Sequence, residues 1–259
     1  MSGSKVAVLL LRASTASGAV PEPLTTWLSP SETARLSSIH STQRKSEFLV
    51  GRFALRRLLT VFCPLTKWHD WVLDWQENGP PCIARCAVLS GVAVGELNLS
   101  LSHSGGLMAF AVSDGAVGID LEVQIRDREV KGLIEMVCTP QEQQRLATVG
   151  HHAQRMAFDA VWTLKEAWFK RERTGIDLSR IKQLQTHQLM HVDDGDASHP
   201  VTENKNSPHP NAKIWQGRCN GLVYTIALCV TKIAEVNISF MLEDVPASTL
   251  MSTWAVAEA

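Results

Sequence analysis

The run from Ala116 to Val123, AVGIDLEV, constrains this chain more than any other stretch, because it sets two carboxylates, Asp120 and Glu122, inside an otherwise apolar segment. Apolar runs of this length read as buried strands, and a buried acid is costly unless a positive partner compensates it. On a strand Asp120 and Glu122 project from the same face, so each raises the other's pKa unless a cation lies between them. Hard oxygen ligands at that spacing suit Mg²⁺, which takes one or two carboxylates together with substrate phosphates. The alternative is a strand end with both acids in water.

Three further stretches carry chemistry. In Trp162–Lys170, WTLKEAWFK, the residues Trp162, Glu166 and Lys170 stand four apart on one helical face. Glu166 and Lys170 have the orientation of an ordinary helix salt bridge, worth about a few tenths of a kcal/mol when solvated. Leu99–Gly106, LSLSHSGG, ends a strand in hydroxyls, an imidazole and two glycines. That composition suits a phosphate or a nucleotide base, and equally a turn closed by Ser and Gly. The clearest helix, Gln43 to about Phe62, buries Phe48, Leu55, Leu58, Leu59 and Phe62 on one face, with Lys45, Arg52 and Arg56 on a stripe beside it. Those cations either meet an anion in a cleft or lie over apolar surface.

The remaining chain organises around these stretches. Strands are expected at Val6–Leu11, Trp71–Trp75, Leu97–Leu101, Leu107–Val112 and Val117–Val123, and a hairpin at Trp215–Arg218 and Leu222–Val230 about Asn220-Gly221. Ser29-Pro-Ser-Glu32 and Thr139-Pro-Gln-Glu142 are helix starts, and helices follow at about Arg126–Cys138 and Ala153–Arg173. A turn is expected at Asn78–Pro81 and an exposed loop at His191–Asn211. The halves on either side of Ser113-Asp-Gly115 each mix strands with one long helix, a similarity too coarse to define a repeat.

Composition sets outer bounds. With 25 Lys+Arg against 26 Asp+Glu, the chain lacks the basic excess of a general nucleic-acid binder. Its longest apolar runs, Val6–Leu11 and Leu222–Val230, fall far short of the roughly 20 residues of a membrane helix, and no signal peptide is evident. The six cysteines form no C-x-x-C pair, which points to reduced thiols in the cytoplasm.

Taken together and in order, these stretches resemble the 4′-phosphopantetheinyl transferases, specifically the large monomeric type that activates surfactin synthetase and enterobactin synthetase. The family's G-[IV]-D-[ILV]-E is matched by Gly118–Glu122, and its W-[ST]-x-K-E-[AS]-x-x-K by Trp162–Lys170. Its S-H-S is matched by Ser102–Ser104, and R-x-x-E-[FY]-L-x-G-R resembles the segment from Gln43 to Arg52. The resemblance spans roughly Pro30 to Gly175, and beyond it only the strand pattern agrees.

The resemblance implies an α/β (α+β) fold, a pseudo-twofold pair of similar subdomains, each a small mainly antiparallel sheet packed on a long helix. Residues 1–113 would form the nucleotide side and 114–259 the metal side. It implies transfer of 4′-phosphopantetheine from the co-substrate coenzyme A to a serine of an apo acyl or peptidyl carrier protein, releasing adenosine 3′,5′-bisphosphate, as in holo-acyl-carrier-protein synthases. The alternative is a non-catalytic homologue that binds coenzyme A or a carrier. Mg²⁺ would lie on Asp120, Glu122 and Glu166, and Lys170 would contact the pyrophosphate. Ser102, His103, Arg52, Arg44 and Arg56 would bind the nucleotide and its 3′-phosphate. Glu142 and Glu166, directly or through a water on the metal, are the candidate bases. A cytoplasmic monomer is implied, with the helix from Arg126 to Cys138 among its carrier-docking surfaces. The chain departs from the family at Pro80, where a lysine is usual, at Glu32, where some members carry a basic residue, and at Arg173, where glycine is expected.

Overall fold

The structure, a computed structural model, describes residues 4–74, 79–89, 94, 96–124, 130–192, 211–233, 236–243 and 249–258. Eleven strands form two principal sheets and one short ribbon among the described residues. The first sheet has the order β10 (Val236–Glu243), β1 (Ser4–Arg12), β5 (Leu107–Ser113), β4 (Asn98–Ser104). The second runs β6 (Val117–Gln124), β9 (Leu222–Val230), β8 (Ala212–Cys219), β11 (Thr249–Glu258), β7 (Leu184–Val192). The ribbon pairs β2 (Trp71–Asp74) with β3 (Cys82–Cys86).

Every ladder is antiparallel except β1 with β10. Both tight hairpins have left-handed backbones at their two turn residues, Gly105 and Gly106 at φ 56° and 80°, Asn220 and Gly221 at φ 50° and 80°. These are the conformations that match the twist of the flanking strands, and glycine or asparagine adopts them most cheaply.

The helices are α1 (Ala13–Ala16), α2 (Pro30–Ser38), α3 (Thr42–Phe62), α4 (Lys131–Val137), α5 (Pro140–Ala147), α6 (His151–Glu172) and α7 (Leu178–Ile181). Strand alternation then builds four layers. Val6, Val8 and Leu10 of β1 pack with Ile119 and Leu121 of β6 and with Tyr224 and Ile226 of β9 in one core between the sheets. The opposite face of the first sheet, with Leu9, Leu11 and Phe110, is covered by Ala54, Leu55 and Leu58 of α3. The opposite face of the second sheet, with Ile214, Ala227 and Cys229, is covered by Phe158, Val161 and Leu164 of α6. A leucine as fully buried as Leu10 contributes about 1.5–3 kcal/mol.

The two halves carry similar buried ion pairs. Ser29 caps α2 in a capping box whose Glu32 is fully buried against Arg56 of α3, 24 residues later, at 3.0 and 2.7 Å. Thr139 caps α5 in the same way, and its Glu142 is fully buried against Lys165 of α6, 23 residues later, at 2.7 Å. One difference from the expected division is β10, which lies beyond residue 114 yet pairs with β1 in the first sheet. The core shared between the sheets and this returning strand make the boundary at 113/114 a change of layer, with contacts on both sides of it.

The six cysteines are free, and Cys86, Cys138, Cys219 and Cys229 are buried. Among the described residues no helix is long and apolar enough to cross a membrane. The expected loop falls largely outside the described residues, since β7 runs to Val192 and β8 begins at Ala212.

Candidate active site

The site begins with a glycine. A Cβ on Gly118 would stand 1.9 Å from the Ala167 carbonyl oxygen and 2.4 Å from the Arg171 nitrogen. Only glycine lets β6 lie this close to α6. Because Asp120 and Glu122 share the face of Gly118, they are held directly against the side of α6 that presents Trp162, Glu166 and Lys170. One carboxylate oxygen each from Asp120, Glu122 and Glu166 lies within 4.8 Å of the others.

This is an expensive arrangement. Two charges at that separation repel by about 3 kcal/mol in a medium of effective dielectric 20. Burial first, and Asp120 second, push the Glu166 carboxyl up to about 8, with Lys170 opposing and Glu122 adding to the rise. Burial and Asp120 likewise raise Glu122. Protonated, Glu166 donates to Asp120. Otherwise Asp120 Oδ2 is buried with no hydrogen-bond donor. An orphaned buried oxygen facing two further acids fits a hard divalent cation: three carboxylate oxygens would be shared among one charge centre in place of a proton.

The surrounding groups fix the acids without filling that space. Lys170 Nζ donates to Asp120 Oδ1 at 2.6 Å, and the Ser102 hydroxyl donates to the same oxygen at 2.8 Å. Trp162 Nε1 donates to Glu122 Oε1 at 3.1 Å, and Ser104 Oγ to Glu122 Oε2 at 3.3 Å. The serines also join the two sheets. The outward N–H groups of β6 have no strand partner on that side, and Ile119 N donates to Ser100 Oγ at 3.0 Å while Val123 N donates to Ser104 Oγ at 3.1 Å. Serines 100 and 104 therefore satisfy N–H groups of a sheet edge that would otherwise be orphaned, while Ser102 between them holds Asp120.

A cavity of about 1020 Å³ opens beside the acids between α3, β4 and the end of α6. Among the described residues its wall carries Arg35, Arg44, Arg52, Lys170 and Arg173 with Glu47 as the one carboxylate, in addition to His40 and His103. A chain with formal charge −1 thus concentrates positive potential in one cleft.

The structure brings most of the expected residues together, with Ser102 against Asp120, and sets Arg56 and Glu142 apart. Arg44, Arg52, His103 and Lys170 line the cavity; Asp120, Glu122 and Glu166 form the acid cluster. Arg52 is largely buried, with Nη1 donating to the Asp74 carbonyl at 3.4 Å. Arg56 is not a cavity cation. Its guanidinium is fully buried and donates to Glu32 and to the carbonyls of Trp27, Trp71 and Arg52. The anion that Arg56 meets is the internal carboxylate of Glu32.

Ser102 donates its buried hydroxyl to Asp120 and is not among the residues that line the cavity. Glu142 lies in neither group. Its Oε2 accepts from Thr139 N and Lys165 Nζ, and its Oε1 from Thr186 N and Oγ1, all within 2.8 Å. Fully buried and fully bonded, it is a structural anchor with no lone pair facing the cavity. The serine alternation at 100, 102 and 104 was the available signal for the sheet junction, and the paired helix starts were the signal for the similar ion pairs.

The acid cluster offers the donor set of a hard-cation site, and the cleft beside it carries the charge that attracts an anion. Residues 116–228, which include the acid cluster and all of α6, match the family described as the 4′-phosphopantetheinyl transferase superfamily. The chain is 26% identical over 165 residues to the 4′-phosphopantetheinyl transferase HetI of Nostoc sp., a match covering 63% of this chain and 66% of that relative. It is 27% identical over 128 residues to the 4′-phosphopantetheinyl transferase psf-1 of Bacillus pumilus, covering 49% of this chain and 50% of the relative. The match therefore spans just under two thirds of the first relative's length and half of the second's. Over residues 116–228 the chain is similar to the 4′-phosphopantetheinyl transferase superfamily, and the two relatives share that description.

Proposed function

We propose that this protein transfers the 4′-phosphopantetheine group of coenzyme A to a serine hydroxyl of an apo acyl or peptidyl carrier protein, releasing adenosine 3′,5′-bisphosphate. The observation that carries the reading is the convergence of Asp120, Glu122 and Glu166, joined through Lys170 to a cleft lined by basic side chains from both halves. Asp120, Glu122 and Glu166 would hold Mg²⁺. The chemistry that ion supplies when bound is neutralisation of the charge building on the diphosphate.

The chain's own groups do the rest. Arg44, Arg52 and His103 bind the nucleotide phosphates and exclude water from that end of the cleft. Lys170, held at 2.6 Å from Asp120, presents its ammonium to the diphosphate and stabilises the phosphate that leaves. The serine oxygen forms the new bond to phosphorus as the bond to the departing bisphosphate breaks, and the serine proton passes to a carboxylate. Glu166 is the carboxylate we assign to take it. Glu142 supports this step only indirectly, by fixing Lys165 next to Glu166. The exposed Leu133 and Met136 of α4 offer an apolar surface for the carrier. We place the reaction in the cytoplasm and in a monomer.

The test is intact-mass measurement of an apo carrier domain incubated with the protein, coenzyme A and Mg²⁺. The expected result is addition of one phosphopantetheine group with release of adenosine 3′,5′-bisphosphate, both lost in Glu166→Gln. An unmodified carrier with coenzyme A bound would favour a non-catalytic homologue. Consumption of coenzyme A without any carrier would indicate a phosphohydrolase.

A further inference from the structure

Helix α6 ends on an unusual residue. Arg173 caps it in the left-handed conformation, φ 57° and ψ 27°, which glycine adopts freely and an arginine side chain adopts at a cost in stability. Non-glycine residues held in this region cluster at ligand clamps. The side chain lies on the cavity wall, where Nη2 donates to Asn98 Oδ1 at 3.0 Å, at the start of β4. Its charge is felt at Cys82, which follows Pro81 on the facing wall.

Two features of that end of the cavity call for a cation. Gly79, Pro80 and Pro81 contribute lining there with no charge of their own. The C-terminal end of α6 carries the partial negative charge of the helix dipole, which disfavours an anion unless it is offset. Lys170 offsets it one turn back, where it shares its charge with Asp120. Arg171 is turned away, donating to the Val230 carbonyl at 2.9 Å and to Glu172. Arg173 alone of the three reaches the cavity with a hydrogen bond only to a neutral amide among the contacts described.

We propose that Arg173 is a ligand-binding residue that donates from its guanidinium to a phosphate of the bound nucleotide, supplying from the second half the charge that the Pro80 wall lacks. The inference rests on the coenzyme A reading above.

The test is isothermal titration of the full chain with coenzyme A and with adenosine 3′,5′-bisphosphate, in excess Mg²⁺, alongside thermal unfolding. Arg173→Gly is expected to weaken binding of at least one of the two about tenfold, which is 1.4 kcal/mol. Its Tm should be unchanged, or raised by up to about 3 °C as the backbone strain is relieved. Arg173→Lys, which keeps the charge and loses the fork, should fall between. Wild-type affinity for both ligands in Arg173→Gly overturns the inference. So does a loss of affinity that comes only with a Tm lowered by several degrees, since that marks a structural cap. A wild-type protein that binds neither compound overturns the coenzyme A reading and takes this inference with it.

Discussion

Gly118→Ala tests how the site is positioned. The added methyl would meet the Ala167 carbonyl at 1.9 Å and the Arg171 nitrogen at 2.4 Å, and both are backbone atoms of α6. Neither can swing aside as a side-chain tip would, so β6 and α6 must separate by more than about 1 Å over that turn. Overpacking of this kind costs about 3 kcal/mol or more, equivalent to a fall of about 6–12 °C in Tm for a chain of this size. The separation also moves Asp120 and Glu122 away from Glu166 and Lys170, and a displacement of about 1 Å in a reacting constellation costs on the order of a hundredfold in rate. Thermal unfolding and carrier modification, measured together, check both numbers. Gly132→Ala is the internal control: nothing lies within 4 Å of its added Cβ in α4, so it should be neutral or slightly stabilising. A Gly118→Ala protein that melts within 2 °C of wild type (well below the fall of about 6 °C expected) and modifies its carrier at an undiminished rate would refute the close approach and the role given to it.

Other perturbations follow from the same geometry. Lys165→Met should destabilise by about 3–5 kcal/mol in chemical denaturation, because it leaves the fully buried Glu142 without its cation, and a loss under 1 kcal/mol would contradict the buried pair. Ser100→Ala strips the acceptor from Ile119 N and should cost about 1–3 kcal/mol, read as a lower denaturation midpoint with an unchanged m-value. Burial and Asp120 push the Glu166 carboxyl up to about 8, so Mg²⁺ should compete with its proton and Mg²⁺ affinity should rise with pH up to that point and then level off. By the same sign, a carboxyl raised from 4.5 to about 8 binds more protons folded than unfolded, so metal-free stability should fall as pH rises across that window. Calorimetry with Mg²⁺ at several pH values, and melting in chelator, would expose a flat profile if the acids do not share one site.

Much of this architecture was legible in the sequence, because it rests on local rules. Alternation in β6, the 3.6-residue period of α3, the two helix-start signals and Asn220-Gly221 each specify an element without distant context. The acids of the cluster were legible for the same reason: two share a strand face and the third shares a helix face with Lys170. What escaped depends on tertiary partners. Nothing local in Arg56 says that its anion is Glu32 inside the core, and nothing local in Glu142 distinguishes a general base from the anchor of Lys165. The glycines at 105 and 106 are turn residues with positive φ, whereas Gly118 is an approach residue, and only the neighbouring helix separates the two uses. Strands β7, β10 and β11 lie where the sequence pattern is weakest. The last two are set by register against strands far earlier in the chain or by returning ladders, which periodicity does not report.

The most direct measurement of the shared metal site is a Mn²⁺ titration followed by electron paramagnetic resonance, on the wild-type chain and on Asp120→Asn and Glu166→Gln. One tightly bound ion per chain, lost in both variants while their melting temperatures hold, is the expected result. Retention of that single ion at undiminished affinity in both variants would show that Asp120 and Glu166 do not hold it.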